Sequence, residues 1–315
     1  MPAPLPVRDG LGPDRLRMPA GSAGLTVARF LEGAAPDEDW DRRIAAGDVV
    51  DEHGRVVGPG TTCMPTRFVY FYREPPPEVP VPFALDVLHR DDRLVVVDKP
   101  HFLATIPRGR HVRETALVRL RRDLDLPELI PAHRLDRMTA GVLVFVIRRA
   151  DRRAYQELFA TGAVANEYRA VAGTRAGLEF PARVRTRIDK EHGVMTATQR
   201  DGEPNSDTTI DLIGARAGLG SYRLVPRTGR THQLRLHMLS LGLPILGDDF
   251  YPQFRSRDPH DFAEPLQLLA RRLTFTDPVT GEPHAFVSRR TLARDPLAEP
   301  VRCGRATPAC DNGPS

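Results

Sequence analysis

The stretch Pro131-Ala132-His133-Arg134-Leu135-Asp136-Arg137-Met138-Thr139-Ala140-Gly141 runs directly into the apolar segment Val142-Leu143-Val144-Phe145-Val146-Ile147. That segment has strand length and stops at Arg148-Arg149, far short of the roughly 20 apolar residues that span a bilayer. A loop dense in ionisable groups that feeds a buried strand holds those groups at a rigid sheet edge. A second stretch has the same character: Pro226-Arg227-Thr228-Gly229-Arg230-Thr231-His232-Gln233-Leu234-Arg235-Leu236-His237, closing with Gly242-Leu243-Pro244-Ile245-Leu246-Gly247-Asp248. It reads as a strand ending in a Thr-Gly turn, then the polar start of a helix.

Outward from these two stretches, Leu94 to Val97 reads as a strand ending at Asp98-Lys99-Pro100, and 114–124 as a helix. Residues 151–159 and 232–241 read as further helices, and 168–171, 210–212 and 222–225 as strands. Strands and helices mix without strict alternation, which predicts an α+β fold with a mixed, largely antiparallel central sheet flanked by helices over residues 83–294. Before it, 74–82 is Pro-rich and should form an extended, semi-rigid linker. Residues 21–73 form a small α/β module with two short helices and short strands. Residues 1–20, Pro-rich and aperiodic, are expected to be disordered, and 295–315 to be a flexible tail.

Composition narrows the function. Of 315 residues, 41% are hydrophobic, which excludes a wholly disordered chain. Lys and Arg exceed Asp and Glu by 45 to 41, a surplus that permits a nucleic-acid partner without requiring one. Arginine carries most of the positive charge, in clusters such as Arg121-Arg122, Arg148-Arg149 and Arg152-Arg153. Guanidinium forks match phosphates bidentately, although a solvated Arg-rich face is the ordinary alternative. Cys63, Cys303 and Cys310 have no CxxC partner, so neither a disulfide framework nor a cysteine zinc site is expected. The first residues lack the apolar core of a secretory signal, so a cytoplasmic location is expected. His232 and His237 are poorly spaced for one helix face, and no metal site with His133 is expected.

At the residues quoted above the sequence resembles the RluA-type RNA pseudouridine synthase family. HRLD followed by x-x-T-[SA]-G is similar to the family's signature around its catalytic aspartate, and TGRTHQLRLHM with LGLPILGDDFY to its second signature. The resemblance extends through VLHRDDRLVVVDKP at 87–100 and VANEYRAVAG at 164–173, and covers about residues 83–290. It implies the pseudouridine synthase fold and isomerisation of uridine to pseudouridine in ribosomal or transfer RNA. Uracil is detached at N1, rotated and rejoined through C5. Nothing is oxidised and no group leaves for good, so no cofactor is expected and no metal.

Residue by residue, the resemblance makes Asp136 the catalytic carboxylate, Arg235 its ionic partner and Tyr168 the ring that packs on the target uracil. Next to the sugar a carboxylate can attack the anomeric carbon, stabilise positive charge there or take a ribose proton, and the sequence does not choose among these. Arg134 is expected to fill the space left by the flipped nucleotide, with Arg230, His232, Arg108 and Arg110 as further RNA contacts. His133 should hydrogen-bond the loop into shape, and Thr139 and Gly141 should shape its turn. Asn166 departs from the family, which has Lys there, so a local phosphate contact is lost. Ile44 to Val50 and Gly54 to Val57 resemble an S4-like RNA-binding module, although the acidic Asp37-Glu38-Asp39 and Asp51-Glu52 oppose phosphate binding. A monomer with RNA as partner and no membrane association is expected.

Overall fold

The computed structural model describes residues 3–75 and 77–298. In chain order the elements are β1 (Asp14–Arg17), α1 (Val27–Ala34), α2 (Trp40–Ala45), β2 (Val50–Asp51), β3 (Phe68–Phe71), β4 (Asp86–Arg90), β5 (Leu94–Lys99), α3 (Ala116–Asp123), β6 (Ile130–Pro131) and β7 (Ala140–Val146). They continue with α4 (Arg152–Thr161), β8 (Ala165–Gly173), β9 (Ala182–Asp189), β10 (Thr198–Arg200), β11 (Ser206–Arg216), β12 (Leu219–Pro226), α5 (Gln233–Ser240), β13 (Leu268–Thr276) and β14 (Pro283–Val287). The class is α+β, as expected. Among the described residues no helix is long and apolar enough to cross a membrane.

The described residues form two compact units, one from the stretch up to 166 with 255–266 and 270–289, the other from 167–254 with 267–269 and 290–298. In the first unit, β4, β5 and β7 form an antiparallel ladder in which Leu94 to Lys99 face Val146 to Gly141. Both strands are buried along their whole length, which is why they read as unbroken apolar runs. β6 pairs with β7 and β14 with β13. Gly141 lies against Ala270 of β13: its φ is +115°, and a Cβ there would stand 2.2 Å from the Ala270 carbonyl oxygen. Only glycine fits that approach.

The N-terminal part of this unit has its own three-stranded sheet, β1–β3–β2. Its core joins Met18, Val27, Leu31, Trp40, Ile44, Val49 and Phe71. Thr26 and Asp39 cap α1 and α2 by accepting the Arg29 and Arg42 backbone N–H groups. Here the expectation of a disordered 1–20 is corrected. Asp14 to Arg17 pair with Phe71 to Phe68, Arg8 and Leu11 bond one another, and Gly10 packs on Val118 of α3. The segment has one strand-like apolar residue, Leu16, and takes its order from the apolar partner strand Phe-Val-Tyr-Phe, a tertiary effect that local composition does not carry.

Residues 74–82 also do more than connect. The Glu78 carboxylate accepts the N–H groups of Val112, Arg113 and Glu114 at 2.9, 2.6 and 3.1 Å, and Val81 N–H donates to the Glu114 carboxylate at 2.8 Å. The stretch is thus fastened to the loop before α3, and the division between compact units falls at 166/167 instead. Most of the expected tail, from 299 onward, lies outside the described residues.

In the second unit the strand order is β10–β9–β11–β12–β8, all antiparallel. One face, with Ile210, Leu224 and Val184 buried, is covered by α5. His237 of α5 is fully buried, and its ring is bonded to Thr208 at Nδ1 and to Ser206 and Thr186 at Nε2, which pins the helix to β9 and β11.

Candidate active site

The HRLD loop enters β7 under unusual restraint. Four consecutive peptide carbonyls are each held: Leu135 O by the Thr105 hydroxyl at 2.7 Å, Asp136 O by the Thr139 N–H at 3.0 Å, Arg137 O by the Lys99 ammonium at 3.3 Å, and Met138 O by His101 Nδ1 at 2.7 Å. Lys99, one of only two lysines in the chain, is wholly buried at the end of β5. Its ammonium also donates to Pro100 O at 3.0 Å and Leu103 O at 2.8 Å, so its charge is spread over three carbonyl dipoles. The side chain of Asp136, half-buried, therefore projects from a backbone with almost no freedom. Preorganisation of this kind removes the reorganisation cost at the moment of reaction.

His133 fills the structural role expected of it. Its ring stacks on Phe159 of α4, 4.1 Å between centroids and 17° between planes, and Nε2 accepts the Val144 N–H at 3.2 Å. Burial pushes its pKa down to about 3, so it is a neutral ring at physiological pH and an acceptor at Nε2. Arg134 is exposed on the same loop, two residues before Asp136. Arg108 and Arg110 are exposed in the same unit, on a tight turn closed by reciprocal Arg108 and His111 backbone bonds of 2.7 and 3.2 Å. Burial first, then the charges of Arg137 and Arg110, lower the pKa of His111.

The second unit holds the remaining expected residues. Arg235, in α5, is 2% exposed. Its Nε donates to Asp248 Oδ2 at 2.7 Å, its Nη2 to Asp248 Oδ1 and, at 3.3 Å, to Asp249 Oδ1. The rings of Phe250 and Tyr251 flank its guanidinium at 4.8 and 5.3 Å. Tyr168 is half-buried on β8, opposite Leu224, on the face that α5 covers. Arg230 is exposed in the turn before α5, with Nε bonded to Asn205 O at 3.2 Å. His232 departs from the expectation of an RNA contact: it is buried, sits in the left-handed region with φ 56°, and bonds the Tyr251 hydroxyl through Nδ1 at 2.9 Å.

Sequence reading missed Asp248, Asp249, Lys99 and Thr105. A signal existed for the first three. Each is an ionisable residue closing an apolar run, LGLPILGDD and LVVVDK, where an unpaired charge would be costly. Thr105 carried none. Among the described residues no group of three or more His, Cys, Asp or Glu is placed to hold a metal ion.

Comparison with known proteins supplies the class, that of RNA-modifying enzymes, and then the family. The family described as RNA pseudouridylate synthase matches residues 93–240. The dual-specificity RNA pseudouridine synthase RluA of Haemophilus influenzae is 33% identical over 219 residues, 64% of this chain and 91% of that protein. The protein of the same name from Escherichia coli K12 is 33% identical over 226 residues, 67% of this chain and 94% of its own. Among solved structures, human RNA Pseudouridylate Synthase Domain Containing 1 shares the fold, with a TM-score of 0.50 and 23% identity over 66% of this chain and 84% of that one. The chain belongs to the RluA-type RNA pseudouridine synthase family and is an isomerase that acts on RNA.

Proposed function

We propose that Asp136 is the carboxylate that acts at the ribose of an everted uridine in ribosomal or transfer RNA, without a cofactor. The observation that carries this reading is the clamp on all four carbonyls from Leu135 to Met138, which fixes the backbone beneath a half-exposed carboxylate. The N1–C1′ bond breaks, the base turns, C5–C1′ forms, and the C5 proton is lost while N1 gains one. Atoms and electrons balance within the nucleoside, so a positioned carboxylate and a held base suffice.

In this reading Arg235 supplies counter-charge to the site as well as to Asp248 and Asp249, and Tyr168 is the platform for the uracil. Stacking of a base on an aromatic ring contributes roughly 1–3 kcal/mol. Arg134 occupies the space vacated by the extruded nucleotide and offsets part of the unstacking cost, a few kcal/mol. Arg108, Arg110 and Arg230 contact phosphates. Two relatives are named as dual-specificity enzymes, which supports a substrate range wider than one RNA. The N-terminal module, resembling S4, would add affinity for the RNA.

The test uses purified Asp136→Asn on RNA from cells that lack the gene. Abolished pseudouridine formation with RNA affinity near that of the wild type supports the assignment. Undiminished turnover refutes it.

A further inference from the structure

Three arginines, Arg183, Arg185 and Arg187, stand at alternate positions of β9, directed away from its buried side. Alternate residues of a strand share a face and are about 6.8 Å apart. The ladders extend this row sideways. Arg185 is opposite Asp207 of β11, Arg187 is opposite Arg200 of β10, and Asp211 of β11 is opposite Arg223 of β12. Arg227 follows β12 and bonds Asp207 O through its N–H at 2.9 Å, so its residue stands on the far side of Asp207 from Arg185.

One carboxylate faces three guanidinium groups here. Arg183 binds Asp207 through Nε and Nη2 at 3.1 and 2.5 Å. That fork first, with Arg227 and Arg185 in support, lowers the Asp207 pKa against the opposing effect of burial. Among the described residues neither Arg185 nor Arg227 forms an ion pair. The positive charge at the centre of this face is thus two in excess of its one acid.

The register also fixes which face this is. Tyr168, Leu224 and Ile210 lie in one cross-strand row, on the face that α5 covers. Arg183, Arg185 and Arg187 alternate with Val184 and Ile188, which are buried on that covered face. The arginine row therefore lies on the reverse of the same strands from Tyr168. At its margin Arg227 leads into the turn that carries Arg230.

We infer that this reverse face is a second RNA-contacting surface, binding the phosphate backbone of RNA outside the target loop. Guanidinium forks at strand spacing suit a run of phosphates. Duplex RNA is recognised mainly through its shape and backbone, which such a row can grip without reading sequence. The inference rests on the enzyme acting on RNA and not on the role of Asp136. It predicts a binding footprint larger than the RNA segment around the target uridine.

The test is the double variant Arg185→Gln, Arg227→Gln, which leaves the Arg183–Asp207 and Arg187–Asp189 pairs intact. Binding is measured across a salt series for intact ribosomal and transfer RNA from cells lacking the gene, and for a short stem-loop around the mapped uridine. For intact RNA the dependence of log Kd on log salt should flatten by about 2, since each phosphate contact contributes roughly 0.7–0.9 to the slope. Kd should rise about tenfold at low salt, with kcat at saturating RNA unchanged and the short stem-loop bound as before. The single variant Arg185→Glu, one charge reversed, should move Kd in the same direction. Unchanged Kd and slope for intact RNA in both variants overturn the inference. So does equal weakening for the short stem-loop, which would place these arginines at the target loop itself.

Discussion

Replacing Arg235 by Met separates the structural from the chemical part of its work. The guanidinium is 2% exposed, and it is shared by Asp248, whose side chain is also 2% exposed, and Asp249 at 9%. Removing it strands two carboxylates in a site closed to water. Breaking a buried pair from one side costs about 3–5 kcal/mol, because the surviving charge keeps its desolvation penalty. For a unit of this size that is a fall of roughly 6–20 °C in Tm. Asp248→Asn keeps an acceptor for the Phe250 and Tyr251 N–H groups, bonded to Oδ1 at 2.8 and 3.0 Å, yet removes the charge. It should destabilise similarly, and the double variant by clearly less than the sum of the two. Calorimetry or thermal circular dichroism at fixed pH measures all three. An Arg235→Met protein that melts within about 2 °C of the wild type would refute the claim that this pair holds α5 to the segment after it. Activity, read well below Tm, should be severely reduced in Arg235→Met.

Burial lowers the His237 pKa to about 4, from 6.5 in the unfolded chain. Between those values the unfolded state binds the extra proton, so the stability His237 contributes is full above about pH 6.5 and declines as pH falls toward 4, by on the order of 3 kcal/mol. His237→Gln should flatten that slope in urea titrations at pH 7 and pH 4.5; an unaltered slope would contradict it. Gly141→Ala drives a methyl into the Ala270 carbonyl at a φ that disfavours a side chain, and should give an unfolded or strongly destabilised protein, checked by soluble yield and thermal melting. Tyr168→Phe should keep most activity, whereas Tyr168→Ala should lose roughly 5- to 150-fold in kcat/KM if stacking is what the ring supplies. Equal loss in both would implicate the hydroxyl.

What could be read from the chain depended on how local the cause was. Val142 to Ile147 announced β7 because a strand buried on both faces needs no alternation. β1, β4, β6, β9, β10, β13 and β14 were not read out. β9 is ARVRTRID, whose outward arginines hide the buried Val184 and Ile188, and β1 is ordered only by its partner. In the site, HRLD and THQLR pointed to Asp136, Arg134 and Arg235 by resemblance. The supports around them, Thr105 on Leu135 and Asp248 on Arg235, join residues 30 and 13 positions apart, and only the fold reveals them. His232, expected as an RNA contact by resemblance, sits in a left-handed turn with its ring bonded to Tyr251, a placement only the fold reveals.

The most direct trial of the central claim is a map of pseudouridine across total cellular RNA from three strains: one lacking the gene, one restored with the wild-type gene, and one restored with the Asp136→Asn allele expressed to the same level. A small set of uridines should lose its modification without the gene, regain it with the wild type, and stay unmodified with Asp136→Asn. Full modification of those uridines in the strain carrying the Asp136→Asn allele would contradict it.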